Sequence, residues 1–300
     1  MEGWYASSSH NRKYSEYGRA GVRSGLESYP ARHSHLPVDP KSFIDAYERA
    51  EQLHECTKGE LYSDYNSLVG ALQYAVRRRP DVSFSVNICA RCLTFPTKEM
   101  YDHAVGILVY LVRTNGLGLT YSKYADDGKL RGYADSDWNV KRSTTGAVVM
   151  YGGAAVGFMS HRQHCIAMSS CEAELMALAA CALELIFFSG VLDTLGEVIT
   201  EPIDVYTDNQ GAFDLCHRHS AGQNSRHVDR KMYKMRELRG ARVVNLHKIP
   251  GTANPADMFT KPLSRQPFEI YRKEVMNLGS NKTSVGPRLP RSAESSSLPD

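Results

Sequence analysis

Gly132-Tyr-Ala-Asp135-Ser-Asp137-Trp138 is the stretch of sequence that decides the fold. It lies in the first of three segments rich in β-branched and aromatic residues, at 129–138, 145–152 and 154–160. Polar or Gly-Gly turns separate these segments, a pattern typical of an antiparallel meander. Alternate side chains of a strand share one face, so Asp135 and Asp137 are expected to point the same way.

Downstream of the meander, helical and β-type segments alternate. A long helix is predicted over about 170–195, and Ser169 with Glu172 forms an S-x-x-E capping box at its start. The segments that follow are a strand at 203–207, helices at 210–217 and 227–239, a strand at 243–249 and the start of a last helix at 255–260. The order β-β-β-α-β-α-α-β-α predicts a mixed α/β (α+β) fold, in which flanking helices cover a five-stranded mixed sheet.

The chain outside the sheet divides by composition. Residues 1–37 are rich in Ser, Tyr, Arg, Gly and His without an apolar period, which predicts a disordered tail. Residues 38–127 carry helical periodicity and form a small helical segment ahead of the sheet domain at 128–265. Residues 266–300 are expected to hold the end of the last helix and a Ser/Pro-rich disordered tail.

Composition excludes several classes of protein. Of the 300 residues 42% are hydrophobic and 23% charged, which is the balance of a globular domain and not of a disordered chain. The N-terminus lacks a signal sequence, and the seven cysteines are an odd number, which favours free thiols in a reducing compartment. We find no apolar run of roughly 18 residues. An intracellular protein, in cytoplasm or nucleus, without a membrane partner is therefore expected.

Positive charge is concentrated in one part of the chain. The formal net charge is only +3, yet residues 217–248 contain a strong excess of Lys and Arg over Asp and Glu. Such a stretch predicts a polyanionic partner such as nucleic acid, and it equally fits a solvated helix face. Charge alone leaves both interpretations open.

Four acidic residues occupy informative places in the predicted topology: Asp135 in the first strand, Glu174 early in the long helix, Asp208 at the end of the fourth strand and Asp257 at the start of the last helix. Such carboxylates can converge beside the centre of the sheet, and a bound cation would cancel their repulsion. Their hard oxygen ligands suit Mg²⁺ or Mn²⁺. Two such ions, roughly 3.5–4 Å apart, would activate water against a phosphodiester.

Six motifs follow one another along the chain: GYADSDW at 132–138, RSTTG at 142–146, AMSSCEAE at 167–174, YTDNQGA at 206–212, RHVD at 226–229 and NPADMFTKPL at 254–263. In this order they resemble the ribonuclease H domain of copia-type long-terminal-repeat retrotransposon Pol polyproteins. Residues from about 65 to 122 are similar to the helical C-terminal end of the reverse transcriptase just upstream. The sequence YADD at 124–127 copies a polymerase signature but has polar flanks, so we interpret it as a solvated linker and predict no polymerase activity.

The resemblance implies roles for individual residues. Asp135, Glu174, Asp208 and Asp257 would be the catalytic, metal-binding acids, with two Mg²⁺ or Mn²⁺ ions and no small-molecule cofactor. Asp137 is the alternative candidate for the metal-binding role of Asp135, and Glu172 is the alternative candidate for that of Glu174. Gln210 resembles a family position that contacts the minor groove of the hybrid, and the basic stretch after Asp208 gives four further candidate substrate contacts: Arg226, His227, Arg230 and Lys231.

The implied activity is hydrolysis of the RNA strand of RNA–DNA hybrids by a metal-dependent endonuclease. Nucleic acid and other parts of the Pol polyprotein are the implied partners. One alternative is an inactive retroelement fragment that binds nucleic acid without turnover. A second is an integrase or transposase on the same fold, but those enzymes place a glutamate last among the acids, whereas Asp257 is last here.

Overall fold

The computed structural model describes residues 31–53, 60–122, 128–139, 142–217 and 226–279. The strands within these ranges are β1 (Arg131–Asp137), β2 (Thr144–Tyr151), β3 (Ala154–Arg162), β4 (Ile203–Thr207) and β5 (Val244–Lys248). The α-helices are α1 (Pro40–Glu51), α2 (Glu60–Val76), α3 (Ser83–Arg91), α4 (Lys98–Arg113), α5 (Ser170–Thr194), α6 (Gln210–His217), α7 (Arg226–Gly240) and α8 (Arg265–Met276).

The five strands form one mixed sheet in the order β3-β2-β1-β4-β5, which confirms the predicted mixed α/β (α+β) class with a five-stranded mixed sheet. β1, β2 and β3 pair antiparallel, whereas β4 lies parallel to β1 and β5 parallel to β4. Because β1 and β4 are parallel neighbours, their carboxyl ends meet at one edge of the sheet. Asp135 near the end of β1 and Asp208 just after β4 are thereby brought to the same edge.

Helix α5 covers one face of the sheet and begins at the predicted cap. The Ser169 hydroxyl accepts a hydrogen bond from the Glu172 amide at 3.2 Å, and a Glu172 carboxylate oxygen accepts one from the Met168 amide at 2.7 Å. Gly132 on β1 lets the helix approach closely, because a Cβ there would lie 2.6 Å from the Cys181 sulfur. The cap and the close approach together fix the first turns of α5 above β1.

The expectation that no apolar run could span a membrane is wrong for α5. By length and composition alone, this helix is apolar enough to cross a bilayer. A helix that covers the core of a globular domain meets the same criteria. The buried part of α5 does this, since Leu175, Leu178 and Leu185 pack into the core beneath it.

The opposite face of the sheet packs against the N-terminal helices. One hydrophobic core joins Phe43 of α1 and Tyr110 of α4 to Tyr133 of β1, Val148 of β2 and Phe268 of α8. The sequence divided residues 38–127 from 128–265, but in the structure the two segments share this core.

A buried polar network ties the N-terminal helices to α8. The Arg79 guanidinium donates to both carboxylate oxygens of Asp81, at 2.9 and 2.7 Å. The Tyr110 hydroxyl donates to Asp81 at 2.5 Å and accepts from Arg272 at 2.9 Å. Because these groups are buried, the charge of Asp81 depends on its partners for compensation.

The predicted disordered tail extended to residue 37, but Ala31–Ser34 forms a 3-10 helix against α4, with His33 buried. The last helix was expected to start at 255–260; instead Pro255–Phe259 is a 3-10 helix, and α8 is a separate element. Pro262 accounts for the break, since a proline disfavours helical backbone at the residue before it. The YADD sequence at 124–127 lies outside the described residues.

Candidate metal centre

Three carboxylates converge at the carboxyl edge of β1 and β4. Asp135 comes from β1, Glu174 from the start of α5 and Asp208 from the residue after β4. One oxygen of each lies within 4.8 Å of the others. Asp135 and Glu174 are only 3% and 5% exposed, whereas Asp208 is half-buried.

The shared burial makes three negative charges unfavourable. Burial, with the charges of Asp135 and Asp208 added to it, raises the pKa of Glu174 to about 9. Burial and the Asp135 charge also raise the pKa of Asp208 above its ordinary value. Without a cation, the cluster therefore favours a protonated Glu174 at neutral pH.

The donor set fits a hard divalent cation. Glu174 Oε1 accepts a hydrogen bond from the Ser136 amide at 3.2 Å, whereas the buried Oε2 has no hydrogen-bond partner. A buried carboxylate oxygen without a partner is costly unless a cation compensates it. Since all three side chains offer oxygen, Mg²⁺ or Mn²⁺ fits this position better than Zn²⁺.

Asn254 connects the three chain segments that carry Asp135, Asp208 and Asp257. Its side-chain amide is fully buried and donates to the Ala134 carbonyl at 2.9 Å and to Asp208 Oδ1 at 3.4 Å. Its own oxygen accepts from the Ala256 amide at 3.2 Å and so caps the 3-10 helix that carries Asp257. One side chain thus connects β1, the end of β4 and the final acidic segment.

Asp257, the fourth predicted acid, lies beside Asp135 but does not join the group of three. Burial, with the Asp135 charge, raises the pKa of Asp257 to about 7. The Lys261 ammonium lies 3.0 Å from Asp257 Oδ1 and 3.9 Å from Asp135 Oδ2. The hydroxyl of Thr260 donates to the same Asp135 oxygen.

Sequence reasoning gave no role to Asn254, Thr260 or Lys261. All three belong to the NPADMFTKPL motif, so the motif was the available signal. Their contacts depend on the turn that folds this segment back onto β1, which residue spacing does not reveal.

Asp137 and Glu172, the alternative candidates for the roles of Asp135 and Glu174, do not lie in the metal-binding position. Asp137 lies on the exposed end of β1 and is not part of the group of three. Its pKa is raised by partial burial and by Asp135. Glu172 caps α5, as the capping box indicated. Asp135 and Glu174 are therefore the members of each pair that face Asp208.

The proposed substrate contacts lie on α6 and α7. Gln210 is exposed and its amide donates to Asp214 at 2.8 Å, while Asn209 caps α6 by accepting from the Ala212 amide at 2.9 Å. On α7, Arg230 is exposed and Lys231 is half-buried. Arg226 and His227 belong to α7, but their side chains lie outside the described residues.

Part of the basic stretch has structural partners. Arg236 donates to the Leu215 carbonyl at 2.9 Å and Arg239 to the Cys216 carbonyl at 2.7 Å. These bonds satisfy carbonyl groups at the end of α6, where helix C-termini favour cations. Arg236 and Arg239 therefore stabilise the contact between α7 and the end of α6.

His247 precedes Asp257 by ten residues along the chain. It lies on β5, where its Nε2 is 2.7 Å from an Asp204 carboxylate oxygen. Its ring stacks on Tyr206, with centroids 5.1 Å apart. Both of these contacts are with the neighbouring strand β4.

Two retrovirus-related Pol polyproteins are similar to most of this chain. No protein-family model matches the chain. The chain is 35% identical over 222 residues, 72% of its length, to the retrovirus-related Pol polyprotein from transposon TNT 1-94 of Nicotiana tabacum. It is 30% identical over 249 residues, 82% of its length, to that from transposon RE1 of Arabidopsis thaliana. It spans only 16% and 17% of these two relatives.

Among solved structures, the crystal structure of LC11-RNase H1 in complex with an RNA/DNA hybrid is similar to part of the chain. The match has a TM-score of 0.36 and 17% sequence identity, and it covers 44% of this chain and 94% of that one.

Proposed function

The chain belongs to the retrovirus-related Pol polyproteins of copia-type transposons, and from that premise we propose that it is a metal-dependent nuclease acting on the RNA strand of RNA–DNA hybrids. The observation that carries the proposal is the convergence of Asp135, Glu174 and Asp208 on a position with an unpartnered buried oxygen. A nuclease role needs such a site, because phosphodiester hydrolysis at this kind of centre depends on divalent cations.

Asp135, Glu174 and Asp208 would hold the first divalent ion, and Asp257 lies beside Asp135. Bound Mg²⁺ would activate a water and stabilise the leaving oxygen of the phosphodiester. The chain's own contribution is orientation. Asn254 directs Asp208, the Ser136 amide directs Glu174, and burial keeps both carboxylates in place.

The substrate would approach along the edge that bears these acids. Gln210 begins the helix directly after Asp208, and Arg230 and Lys231 add positive charge on α7. Basic side chains would contact the phosphate backbone, so binding should weaken as salt rises. Ribose 2′-hydroxyl contacts in the shallow minor groove would select RNA.

The same proposal places the activity inside the cell, in cytoplasm or nucleus. The six cysteines within the described residues are all free thiols, and four of them are buried. Free thiols are typical of a reducing compartment.

A cleavage assay on a labelled RNA–DNA hybrid tests the proposal. The full chain should cut the RNA strand with Mg²⁺ and not with EDTA, whereas Asp135→Asn and Asp208→Asn should abolish cleavage. Asp193→Asn, which removes an exposed carboxylate from the far end of α5, is the matched control and should keep the wild-type rate.

The outcomes separate the alternatives. Hybrid binding without cleavage would indicate an inactive fragment. Cleavage of double-stranded DNA in place of the hybrid would indicate a different nuclease on the same fold. Wild-type cleavage by Asp208→Asn would show that the acidic cluster is not the active site.

A further inference from the structure

The four acids of the site are not equivalent. Oxygens of Asp135, Glu174 and Asp208 lie within 4.8 Å of one another, and Glu174 Oε2 is buried there without a hydrogen-bond partner. Asp257 Oδ1 is also buried without a hydrogen-bond partner, but the Lys261 ammonium lies 3.0 Å from it, so this acid faces a cation that the chain itself supplies. The acids therefore divide into one open position and one that already contains positive charge.

Local contacts hold the backbone at Lys261 in place. Thr260 is fully buried, its hydroxyl donates to Asp135, and its methyl group packs so closely on β2 that a Cβ on Gly146 would lie 2.5 Å from it. The Lys261 amide donates to the Asp257 carbonyl at 3.2 Å. The backbone at 260–261 is thus held between β1 and the 3-10 helix, which directs the lysine side chain along the Asp135–Asp257 gap.

The lysine can also leave this gap. Its side chain is 43% exposed, whereas the carboxylates it contacts are almost buried. A long, flexible side chain with its head at the rim can exchange between the carboxylates and water. Arrival of a divalent ion between Asp135 and Asp257 would require that exchange, because two cations within a few ångström repel strongly.

We propose that Lys261 is a positioning residue that occupies the second cation position of the site, between Asp135 and Asp257, and yields it only when a divalent ion displaces its ammonium. This inference rests on the proposed function, since it concerns the same acids. It makes the two ion positions unequal: the first, at Asp135, Glu174 and Asp208, binds tightly, and the second binds weakly in competition with Lys261.

Binding of Mn²⁺ alone, followed by calorimetry and by electron paramagnetic resonance without nucleic acid, tests the proposal on the full chain. Wild type should bind one ion tightly and a second weakly. Lys261→Met, which keeps the aliphatic stem without the ammonium group, should tighten the second affinity by at least about tenfold and the first by less, because the ammonium lies 3.0 Å from Asp257 and 3.9 Å from Asp135. Lys261→Arg keeps the charge and should behave as wild type.

Lys234→Met is the matched control, because Lys234 has the same 43% exposure and an acidic partner, Glu237, on α7. It should leave both affinities unchanged. An unchanged or weaker second affinity in Lys261→Met, with the first ion still bound, would overturn the role of Lys261 and leave the proposed nuclease intact. Absence of tight binding in wild type itself would overturn the metal site, and the inference would fall with it.

Discussion

Replacing Glu174 with glutamine isolates the electrostatic cost of the metal-free site. Glutamine has the shape of a protonated glutamate, and its oxygen can still accept the Ser136 amide bond that Glu174 accepts at 3.2 Å. The variant therefore removes one ionisable group while it keeps the packing of a side chain that is only 5% exposed.

The magnitude follows from the pKa of Glu174. Burial and the charges of Asp135 and Asp208 raise this pKa from 4.5 to about 9 in the folded protein. At pH 8 the unfolded chain has an ionised glutamate, so folding must take up a proton or bury a charge, at a cost of about 5 kcal/mol. Glutamine avoids that cost. Below pH 4.5 both states are protonated, and the difference should vanish.

The stability difference between wild type and Glu174→Gln should change with pH in a predictable direction. The folded wild type binds the extra proton between pH 4.5 and 9, so its unfolding free energy relative to Glu174→Gln should fall by up to about 1.4 kcal/mol per pH unit across that window. Urea unfolding in EDTA at several pH values from 5 to 8.5 measures this. Added Mg²⁺ should stabilise wild type and not the variant. Equal or lower stability of Glu174→Gln at pH 8 in EDTA would refute the reasoning.

Three further changes test the supporting structure by urea unfolding. Asp81→Asn leaves the buried Arg79 charge without its carboxylate and should cost about 3–5 kcal/mol; a cost below 1 kcal/mol would contradict the buried pair. Gly146→Ala places a methyl group 2.5 Å from Thr260 and should cost about 1–3 kcal/mol, whereas a stabilised variant would show that this contact is loose. Thr260→Val removes the donor to Asp135 and should cost about 1–3 kcal/mol, so a neutral effect would count against that hydrogen bond.

Local sequence signals predicted the sheet well. β-type residues and turn signals indicated the three antiparallel strands, and helix caps such as Ser169 marked where α5 begins. The positions of Asp135, Glu174 and Asp208 followed from that topology, because parallel neighbours end at the same edge. Their grouping within 4.8 Å is the geometry that such a topology allows.

Contacts between distant segments could not be predicted in the same way. Nothing in the periodicity of residues 38–127 shows that α1 and α4 share a core with the sheet, since that depends on the fit of surfaces far apart in sequence. The role of Lys261 was hidden for a related reason. Its approach to Asp135 depends on a 3-10 turn where the sequence predicted the start of a helix.

Crystals of the full chain grown with Mn²⁺ would test the central claim most directly, because anomalous scattering locates the ion. We expect a peak bound by oxygens of Asp135, Glu174 and Asp208 together. A peak elsewhere, or no peak at these three side chains at millimolar Mn²⁺, would contradict a cation site at this edge of the sheet.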